Sequence, residues 1–520
     1  MNPAFRALIF RCIPLSAYVL VGLGGCASSA STPDAGPAQE AAVASSTDTA
    51  TSGAGAADAA TVSGTVAISA APRTPLPTPG LGTSYWSWSP TYGNGVAGTE
   101  TQILALKPFV LRAGGYNNDT NSPDNFDNTQ VDLAMTYAQA INADLIIQVP
   151  LLAADKTGAP ATADTAAAMV SYANITKQYG VKYFSIGNEP DLYPDATGST
   201  KGIPGYTAAA YCASAQLYAA AMKAVDPTIK IVGPDLSWKY QSGANDWLTP
   251  ILTTCGSVFD IVTIHRYPLD PTLTTIANAA ADAPKLRGVI AHVQAILQST
   301  GNGSKPLAIT ECNITWDGTP AKSILPASPG TVPAGLWAAD TFGVGLESGL
   351  WASIFWSTRE GWTLGLFAPG GGTPSPQPEY WALDLYATHF GPTLLQASTT
   401  AAGVRAYASR NLANDGTQLI VVNWNDAPAK LTFNVERADP VDGGADIDAA
   451  VEVDATATID GAASIDATVG DDATIAAPSF VLPPLSVGAI EIPDIGTASA
   501  WTYGETQHQS NVGPQPLLGM

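Results

Sequence analysis

The sequence predicts an α/β protein in which a (β/α)8 barrel is followed by a small antiparallel β-sandwich domain. Between Leu81 and about Phe390, eight short apolar runs alternate with segments that have helical spacing. Several of these runs are continuously apolar, which is typical of parallel strands covered on both faces. No Gly-x-Gly-x-x-Gly motif opens the first helix, so a dinucleotide-binding fold lacks its main support.

The eight runs define the strands of the barrel, to which we assign residues 81–390. The expected strands are Leu81–Trp88, Phe109–Gly114, Ala143–Val149, Val181–Ile186, Ile229–Gly233, Phe259–His265, Leu307–Thr310 and Leu350–Ser357. Apolar residues keep helical spacing from Val131 to Ile141 and from Leu286 to Leu297. Gly180 and Gly301 stand where helices are expected to end, because glycine readily adopts the left-handed conformation of a helix C-terminus.

Residues 1–26 have the pattern of an export signal. Two arginines precede an apolar segment, Ile13 to Leu23, that is too short to span a bilayer. The quartet Leu23-Gly24-Gly25-Cys26 resembles the bacterial lipobox, which implies that Cys26 is lipidated and becomes the mature N-terminus. The alternative is an ordinary cleaved signal with a chance cysteine. Because no aspartate follows Cys26, the same resemblance favours a lipid-anchored protein of the outer membrane or cell surface.

The residues on either side of the expected barrel differ in composition from it. Residues 27–80 are mainly Ala, Ser, Thr, Gly and Pro with no aromatic residue, so they are predicted to form a disordered linker. Residues 391–492 are expected to form the β domain, with strands at Val404–Ala408, Thr417–Trp424, Lys430–Val435 and Val487–Ile492. Residues 493–520 are expected to be a flexible tail.

An acidic insert, residues 438–478, interrupts the expected β domain. Aspartates recur there every six residues from Asp448 to Asp472. Such a repeat can indicate a parallel β-helix or bind calcium. Because the segment has almost no large side chains to bury, we favour a low-complexity acidic loop. The formal net charge of the whole chain is -22, which argues against a nucleic-acid partner.

Three cysteines remain beyond the signal, and cysteines of exported proteins commonly form disulfides. Connectivity cannot be read from sequence. We expect Cys212 to pair with Cys255, since both lie outside the turns that carry the two glutamates discussed next. Cys312 directly follows Glu311 and is interpreted as a small buried apolar residue rather than a nucleophile.

Two glutamates stand at the ends of expected strands. Glu189 follows the fourth strand in Gly187-Asn188-Glu189-Pro190, and Glu311 follows the seventh. In a barrel of this type the active site forms at the C-terminal ends of the strands. Cleavage of a glycosidic bond needs two such carboxyl groups facing each other. Singly, Glu189 could be a structural acid and Glu311 a solvated loop residue, but their joint placement favours catalysis.

The residues around both glutamates resemble a known group of enzymes. Phe184-Ser185-Ile186-Gly187-Asn188-Glu189-Pro190-Asp191-Leu192-Tyr193 resembles the Asn-Glu-Pro motif that ends strand four in glycoside hydrolase clan A, and Ile309-Thr310-Glu311 resembles its strand-seven nucleophile. The resemblance covers the barrel and implies a retaining (β/α)8 glycosidase. It implies that Glu189 is the acid/base, Glu311 the nucleophile and Asn188 the donor to the sugar 2-hydroxyl.

The resemblance extends less firmly to three polar residues. Arg112 is expected to keep Glu311 ionised, or else to form a structural salt bridge. Tyr267 is expected to donate a hydrogen bond to the nucleophile, or to be an aromatic residue of the rim. His265 is interpreted as a neutral hydrogen-bonded residue of the substrate site, because the two glutamates already supply the proton chemistry.

Tryptophans supply the remaining candidates for substrate binding. Trp356 on the eighth strand is expected to stack on a sugar ring, unless it is a core residue, and Trp86 and Trp362 are weaker candidates. Two patterns compete for the subfamily. Leu111-Arg112-Ala113-Gly114-Gly115 looks like the β-glucuronidase and heparanase branch, whereas the Gly-Leu-Trp stretches at Trp337 and Trp351 look like endoglucanase or xylanase relatives.

The sequence therefore predicts a retaining glycoside hydrolase that cleaves β-linked poly- or oligosaccharides outside the cytoplasm. It is expected to be a lipid-anchored monomer without a cofactor, and no cluster of His, Cys and acidic residues has the sequence spacing of a metal site. One alternative is an exo-acting β-glucuronidase or related glycosidase. Another, from a different class, is a non-catalytic glycan-binding surface lipoprotein.

Overall fold

Eight parallel strands close into a barrel in the computed structural model, which describes residues 60–72, 80–88, 95–122, 124–195, 202–370, 372–411, 416–436, 477–493 and 497–517. A strand of a second sheet, β1 (Val62–Pro72), precedes them. The barrel strands are β2 (Leu81–Tyr85), β3 (Val110–Ala113), β4 (Asp144–Val149), β5 (Tyr183–Ile186), β6 (Lys230–Leu236), β7 (Ile261–Arg266), β8 (Leu307–Cys312) and β9 (Ser353–Phe355). All eight predicted strands are present, and β9 pairs with β2 to close the barrel.

Helices follow the strands and cover the barrel. They are α1 (Glu100–Ala105), α2 (Tyr116–Thr120), α3 (Asn128–Ala140), α4 (Ala163–Val170), α5 (Ala208–Val225), α6 (Leu248–Cys255), α7 (Ile276–Ala280), α8 (Asp282–Ser299), α9 (Val332–Glu347) and α10 (Pro378–His389). Polar residues start several of them: the Asp127 carboxylate accepts from two backbone N–H groups of α3, and Thr162 forms a capping box on α4. Gly180 and Gly301 have φ angles of 65° and 74°, as a glycine beyond a helix end allows.

The second domain is a nine-stranded sheet in the order β14-β13-β1-β10-β11-β12-β15-β16-β17, and all its pairs are antiparallel except β1 with β13. The new strands are β10 (Thr393–Thr399), β11 (Val404–Arg410), β12 (Thr417–Asn423), β13 (Ala429–Val435), β14 (Ser479–Leu482), β15 (Ser486–Ile492), β16 (Ser499–Tyr503) and β17 (Gln515–Pro516). The sheet curls. β14 and β15 are the first and the seventh strand in its order, yet a Cβ on Gly488 of β15 would lie only 2.5 Å from a methyl carbon of Leu482 on β14.

The predicted linker and tail both contribute strands to this sheet, so their predicted boundaries are wrong. Within 27–80, β1 lies between β10 and β13 and buries Val66 and Ile68. Within 493–520, β16 pairs with β15, and the short helix α11 (Glu505–Gln509) follows it. The segment that contains β1 is poor in large apolar residues, and it becomes a strand by pairing with β10 and β13, which are distant in sequence.

The acidic insert connects two neighbouring strands. Thr432 of β13 is opposite Ser479 of β14, so the chain leaves one strand and returns on its antiparallel neighbour, the position of a hairpin loop. Residues 437–476, which include the aspartate repeat, lie outside the described residues, as do Cys26 and the whole predicted export signal.

The two domains share a buried contact on α9. Every residue from Val332 to Leu346 is buried, because the barrel lies on one side of this helix and the β domain on the other. Asp340 accepts hydrogen bonds from the Tyr407 hydroxyl at 2.8 Å and the Trp424 indole at 2.7 Å, and it pairs with Arg405. Burial raises the pKa of Asp340 against these three contacts, which lower it.

Candidate active site

The C-terminal ends of the barrel strands bring five ionisable side chains together. Arg112 comes from β3, Glu189 from the turn after β5, Asp235 from β6, His265 from β7 and Glu311 from β8. All five are at least largely buried. The structure thus places both predicted catalytic glutamates, and the predicted Arg112 and His265, in one cluster.

The two glutamates face each other across the mouth of the barrel. One oxygen of Glu189, one nitrogen of His265 and one oxygen of Glu311 all lie within 4.8 Å of one another. Retaining glycosidases hold their two carboxyl groups about 5–5.5 Å apart, whereas inverting enzymes need about 6.5–9.5 Å to admit a water molecule. The separation in this protein therefore matches direct attack by one carboxylate.

Two donors contact the Glu311 carboxyl group. Arg112 donates from Nη1 to Oε2 at 2.9 Å, and the Tyr267 hydroxyl donates to Oε1 at 2.6 Å. Burial and the charge of Glu311 raise the pKa of Tyr267 well above its ordinary value, so the phenol keeps its proton and remains a donor. Both predicted helpers of Glu311 thus contact it directly.

Arg112 is the hub of the cluster. Its Nη2 donates to Asn188 Oδ1 at 2.8 Å and lies 3.2 Å from Asp235 Oδ2, and its side chain is fully buried. Burial lowers the pKa of Arg112, but the carboxylates of Asp235 and Glu311 raise it by more. The pKa therefore lies above its usual value and the guanidinium stays charged. Burial raises the pKa of Asp235, and the charges of Arg112 and His265 outweigh it, leaving that pKa below its usual value.

Asn188 has its amide orientation fixed by Arg112. A guanidinium has only donors, so the amide must present Oδ1 to it. The amide nitrogen is then the group that remains to donate to a ligand. This is the polarity that the predicted contact with a sugar 2-hydroxyl requires.

His265 lies between the two glutamates. Its Nδ1 is 3.2 Å from Glu189 Oε1 and 3.8 Å from Glu311 Oε2. Burial lowers the pKa of His265, but Glu311, Glu189 and Asp235 together raise it above its ordinary value. The surrounding carboxylates favour the imidazolium and burial favours the neutral ring, so the neutral state expected from the sequence remains a prediction.

The turn that carries Glu189 has a constrained backbone. Gly187 and Glu189 have φ angles of 71° and 50°, in the left-handed region. A Cβ at Gly187 would lie 2.8 Å from the Tyr193 hydroxyl, so only glycine fits there. The backbone N–H of Glu189 donates to Asp235 O at 3.1 Å, which ties this turn to the end of β6.

The predicted aromatic residues occupy different positions. Trp356 is 9% exposed and packs near Trp86 at a ring-centroid distance of 6.2 Å, in a cluster with Tyr267 and the partly buried Trp316. A Cβ on Gly115 would lie 2.7 Å from the Trp356 ring, so glycine makes room for the indole. Trp362 is 37% exposed and belongs to the surface.

A buried acid, Glu360, holds the Trp356 indole. Its Oε2 accepts from Trp356 Nε1 at 3.0 Å, whereas its Oε1 is buried without a hydrogen-bond partner. Burial raises the pKa of Glu360 to about 7, with the indole hydrogen bond lowering it and Glu311 raising it. Sequence reasoning did not select Glu360, although it follows the eighth strand closely.

Asp235 and Gln148 also belong to the site without having been proposed for it. Gln148 Oε1 accepts from the Gly115 N–H at 2.6 Å and lies 3.4 Å from Arg112 Nη2. Both residues stand near the C-terminal ends of barrel strands, and that position is the signal that could have found them.

The cysteines behave as predicted. Cys212 and Cys255 form a disulfide between α5 and α6 with their Cα atoms 5.6 Å apart, and Cys312 is free and buried. Burial raises the pKa of the Cys312 thiol, as expected for an unreactive residue.

Within the described residues, Glu189, His265 and Glu311 are the one group of three whose atoms have the spacing to hold a metal. Their polar atoms already engage one another, Arg112 and Tyr267. The absence of a catalytic metal remains a prediction.

Solved structures share this architecture. The chain is similar to CelM2, a bifunctional glucanase-xylanase from a metagenome library, with a TM-score of 0.58 and 16% identity over 83% of this chain and 99% of that one. It is similar to an α-L-arabinofuranosidase from Thermotoga maritima, with a TM-score of 0.56 and 18% identity over 72% and 88% of the two chains. It is also similar to the family 44 endoglucanase Cel44A from Clostridium thermocellum, with a TM-score of 0.51 and 16% identity over 73% of this chain and 91% of that one.

The chain has the fold of these glycoside hydrolases. At such identities the likeness is one of fold, and both the barrel and the antiparallel-rich sheet domain are part of it. No family model and no curated protein matches the sequence. Among the described residues, no helix combines the length and the apolar character needed to cross a membrane.

Proposed function

We propose that this protein is a retaining glycoside hydrolase that cleaves β-linked poly- or oligosaccharides by a double displacement. The observation that carries the proposal is the opposed pair Glu189 and Glu311, with carboxyl oxygens within 4.8 Å at the catalytic end of the barrel. The fold shared with glycoside hydrolases supports the same reaction class.

Glu311 is assigned as the nucleophile. Arg112 and Tyr267 each bond one of its oxygens, which stabilises the carboxylate and orients it. In the first step a Glu311 oxygen attacks the anomeric carbon, while the bond to the leaving oxygen breaks and that oxygen takes the proton of Glu189. In the second step Glu189 removes a proton from water, whose oxygen attacks the anomeric carbon and releases Glu311.

Glu189 is assigned as the acid/base because it is the more exposed of the two and must exchange its proton with leaving group and water. Its side chain is 13% exposed, against 9% for Glu311, whose carboxyl group is paired with Arg112. Asn188 is assigned as the donor to the 2-hydroxyl, a hydrogen bond that strengthens in the transition state.

The substrate class rests on weaker support. The similar structures are those of a glucanase-xylanase, an endoglucanase and an arabinofuranosidase, which favours a substrate among glucans, xylans and arabinofuranosides. An exo-acting β-glucuronidase or related glycosidase is the alternative within enzymes, on the resemblance of Leu111–Gly115. A non-catalytic glycan-binding lipoprotein would need neither glutamate, and the buried charge network around Glu311 argues against it.

The first test is a panel of aryl β-glycosides, glucans and xylans with the wild type, Glu311→Ala, Glu189→Ala and a control, Asp144→Asn, at the opposite end of β4. Glu311→Ala should abolish hydrolysis. Glu189→Ala should lose about 10²–10⁴-fold on substrates with poor leaving groups. NMR of the first-formed product should show the β anomer. Hydrolysis that survives Glu311→Ala, or an inverted product, would refute the mechanism.

The same panel separates the alternatives. Activity confined to aryl β-glucuronides would favour the exo-glucuronidase, whereas binding of glucans without hydrolysis of any substrate would favour the glycan-binding protein. Treatment with a chelator should leave the activity unchanged if no metal takes part.

We further propose that the protein is exported and lipid-anchored through Cys26, at the outer membrane or cell surface. The disulfide Cys212–Cys255 supports an oxidising compartment. Labelling with a radioactive fatty acid should mark the wild type and not Cys26→Ala, which should leave the membrane fraction. Equal labelling of both would refute the anchor.

A further inference from the structure

A buried carboxylate two residues after Glu189 clamps the turn on which Glu189 lies. Asp191 Oδ1 accepts from the Ser237 N–H at 2.9 Å, and Oδ2 accepts from the N–H groups of Trp238 and Lys239 at 3.1 and 3.0 Å. Asp191 is fully buried. One side chain thus accepts hydrogen bonds from three consecutive backbone N–H groups in the loop that follows β6.

The clamp joins two segments at the catalytic end of the barrel, the turn after β5 and the end of β6, and each carries a non-glycine residue in the left-handed region. Glu189 has φ 50° and Asp235 has φ 53°, and Glu189 N–H donates to Asp235 O. Backbone in this region is strained for a residue with a Cβ, so the surrounding contacts must hold it. Asp191 supplies three such contacts, which tie the turn after β5 to the loop that follows β6.

The clamp also places a negative charge beside Glu189. Burial raises the pKa of Asp191, and the charge of Glu189 raises it further, while the three N–H donors lower it. Repulsion between two carboxylates is mutual, so an ionised Asp191 disfavours ionisation of Glu189 equally. Glu189 is also faced by His265 from β7, by Tyr267 from the loop after β7 and by Glu311 from β8, and substitution of Asp191 leaves these groups in place.

We propose that Asp191 is a positioning residue that aims the Glu189 carboxyl at the leaving oxygen and keeps a negative charge next to it. The inference rests on the proposed glycosidase function. Asp191 acts through the backbone of residues 237–239 and through Glu189, and no contact of Asp191 with substrate is needed.

The test is Asp191→Asn on aryl β-glycosides whose leaving groups differ in acidity. A dinitrophenolate leaves without a proton, whereas an alkyl or phenyl oxygen needs the acid. We expect kcat/KM of the poor substrates to fall at least about tenfold more than that of the dinitrophenyl glycoside. We also expect the alkaline limb of kcat/KM to move to lower pH, by about one unit, because the removed charge no longer favours protonated Glu189.

Asp191→Glu separates position from charge. It retains the carboxylate but displaces it, so the poor substrates should slow while the alkaline limb stays in place. This variant also serves if Asp191→Asn does not fold. Asp340→Asn is the control for a merely structural loss, since Asp340 is a buried acceptor at the domain contact; it should lower stability without changing the leaving-group dependence.

A uniform loss across all leaving groups with an unmoved alkaline limb, in Asp191→Asn, would overturn the inference. That outcome differs from failure of the proposed function, in which the wild type hydrolyses no glycoside or Glu189→Ala is as active as the wild type.

Discussion

Arg112→Met is the substitution whose effect on stability can be worked out most directly. It replaces a fully buried guanidinium by an apolar side chain of related length and leaves two carboxylates, Asp235 and Glu311, without their main counter-charge. Removing one partner of a buried ion pair costs about 3–5 kcal/mol, because the remaining charge stays desolvated. Asn188 Oδ1 also loses its donor.

The assay is urea unfolding of both proteins at several pH values. In the wild type the pKa of Asp235 lies below its unfolded value, so its contribution to stability is present above that unfolded value and is lost as the pH falls. Arg112 is the largest of the groups that lower the pKa of Asp235, so without it the variant gains less stability than the wild type as the pH rises. The difference between the two proteins should therefore grow from about pH 4 to about pH 8.

Lys182→Met is the matched control. Lys182 pairs with Asp144 at 3.0 Å, but the two side chains are 61% and 32% exposed. A pair so exposed contributes about 0–1 kcal/mol. A loss below about 1 kcal/mol for Arg112→Met, or a loss that is the same at both ends of the pH range, would refute the account of the buried cluster.

Three further predictions concern single features. Tyr267→Phe should lower kcat/KM about 10- to 100-fold by removing the hydroxyl that donates to the proposed nucleophile. Tyr218→Phe is the control: it removes a buried hydroxyl without a hydrogen-bond partner and should leave steady-state kinetics unchanged. Replacing Cys212 and Cys255 together by serine should cost roughly 4 kcal/mol in urea unfolding, since the disulfide closes a loop with a sequence separation of 43; equal stability would contradict this. A chain that starts at residue 60 should melt like one that keeps the preceding residues. A chain that starts at residue 80 lacks β1, Val62–Pro72, the strand between β10 and β13, and should melt at a lower temperature; equal melting temperatures of the two would count against that role.

The barrel follows from local features of the sequence. Its eight apolar runs are local patterns, and burial on both faces leaves them little choice of structure. The sequence also determined which strand ends carry the carboxyl groups, because the barrel topology places every strand end at one face. Glu189, Glu311 and their partners Arg112 and Tyr267 were found in this way.

The contacts among these charged side chains are set by the tertiary structure alone. The fourfold contact of Arg112, the position of His265 between two carboxylates and the buried Glu360 behind Trp356 depend on distances between strands, which no local pattern contains. The same holds for β1, whose small residues read as linker. It becomes a strand because it pairs with the edges of β10 and β13, more than 300 residues later in the chain, and covers part of their core.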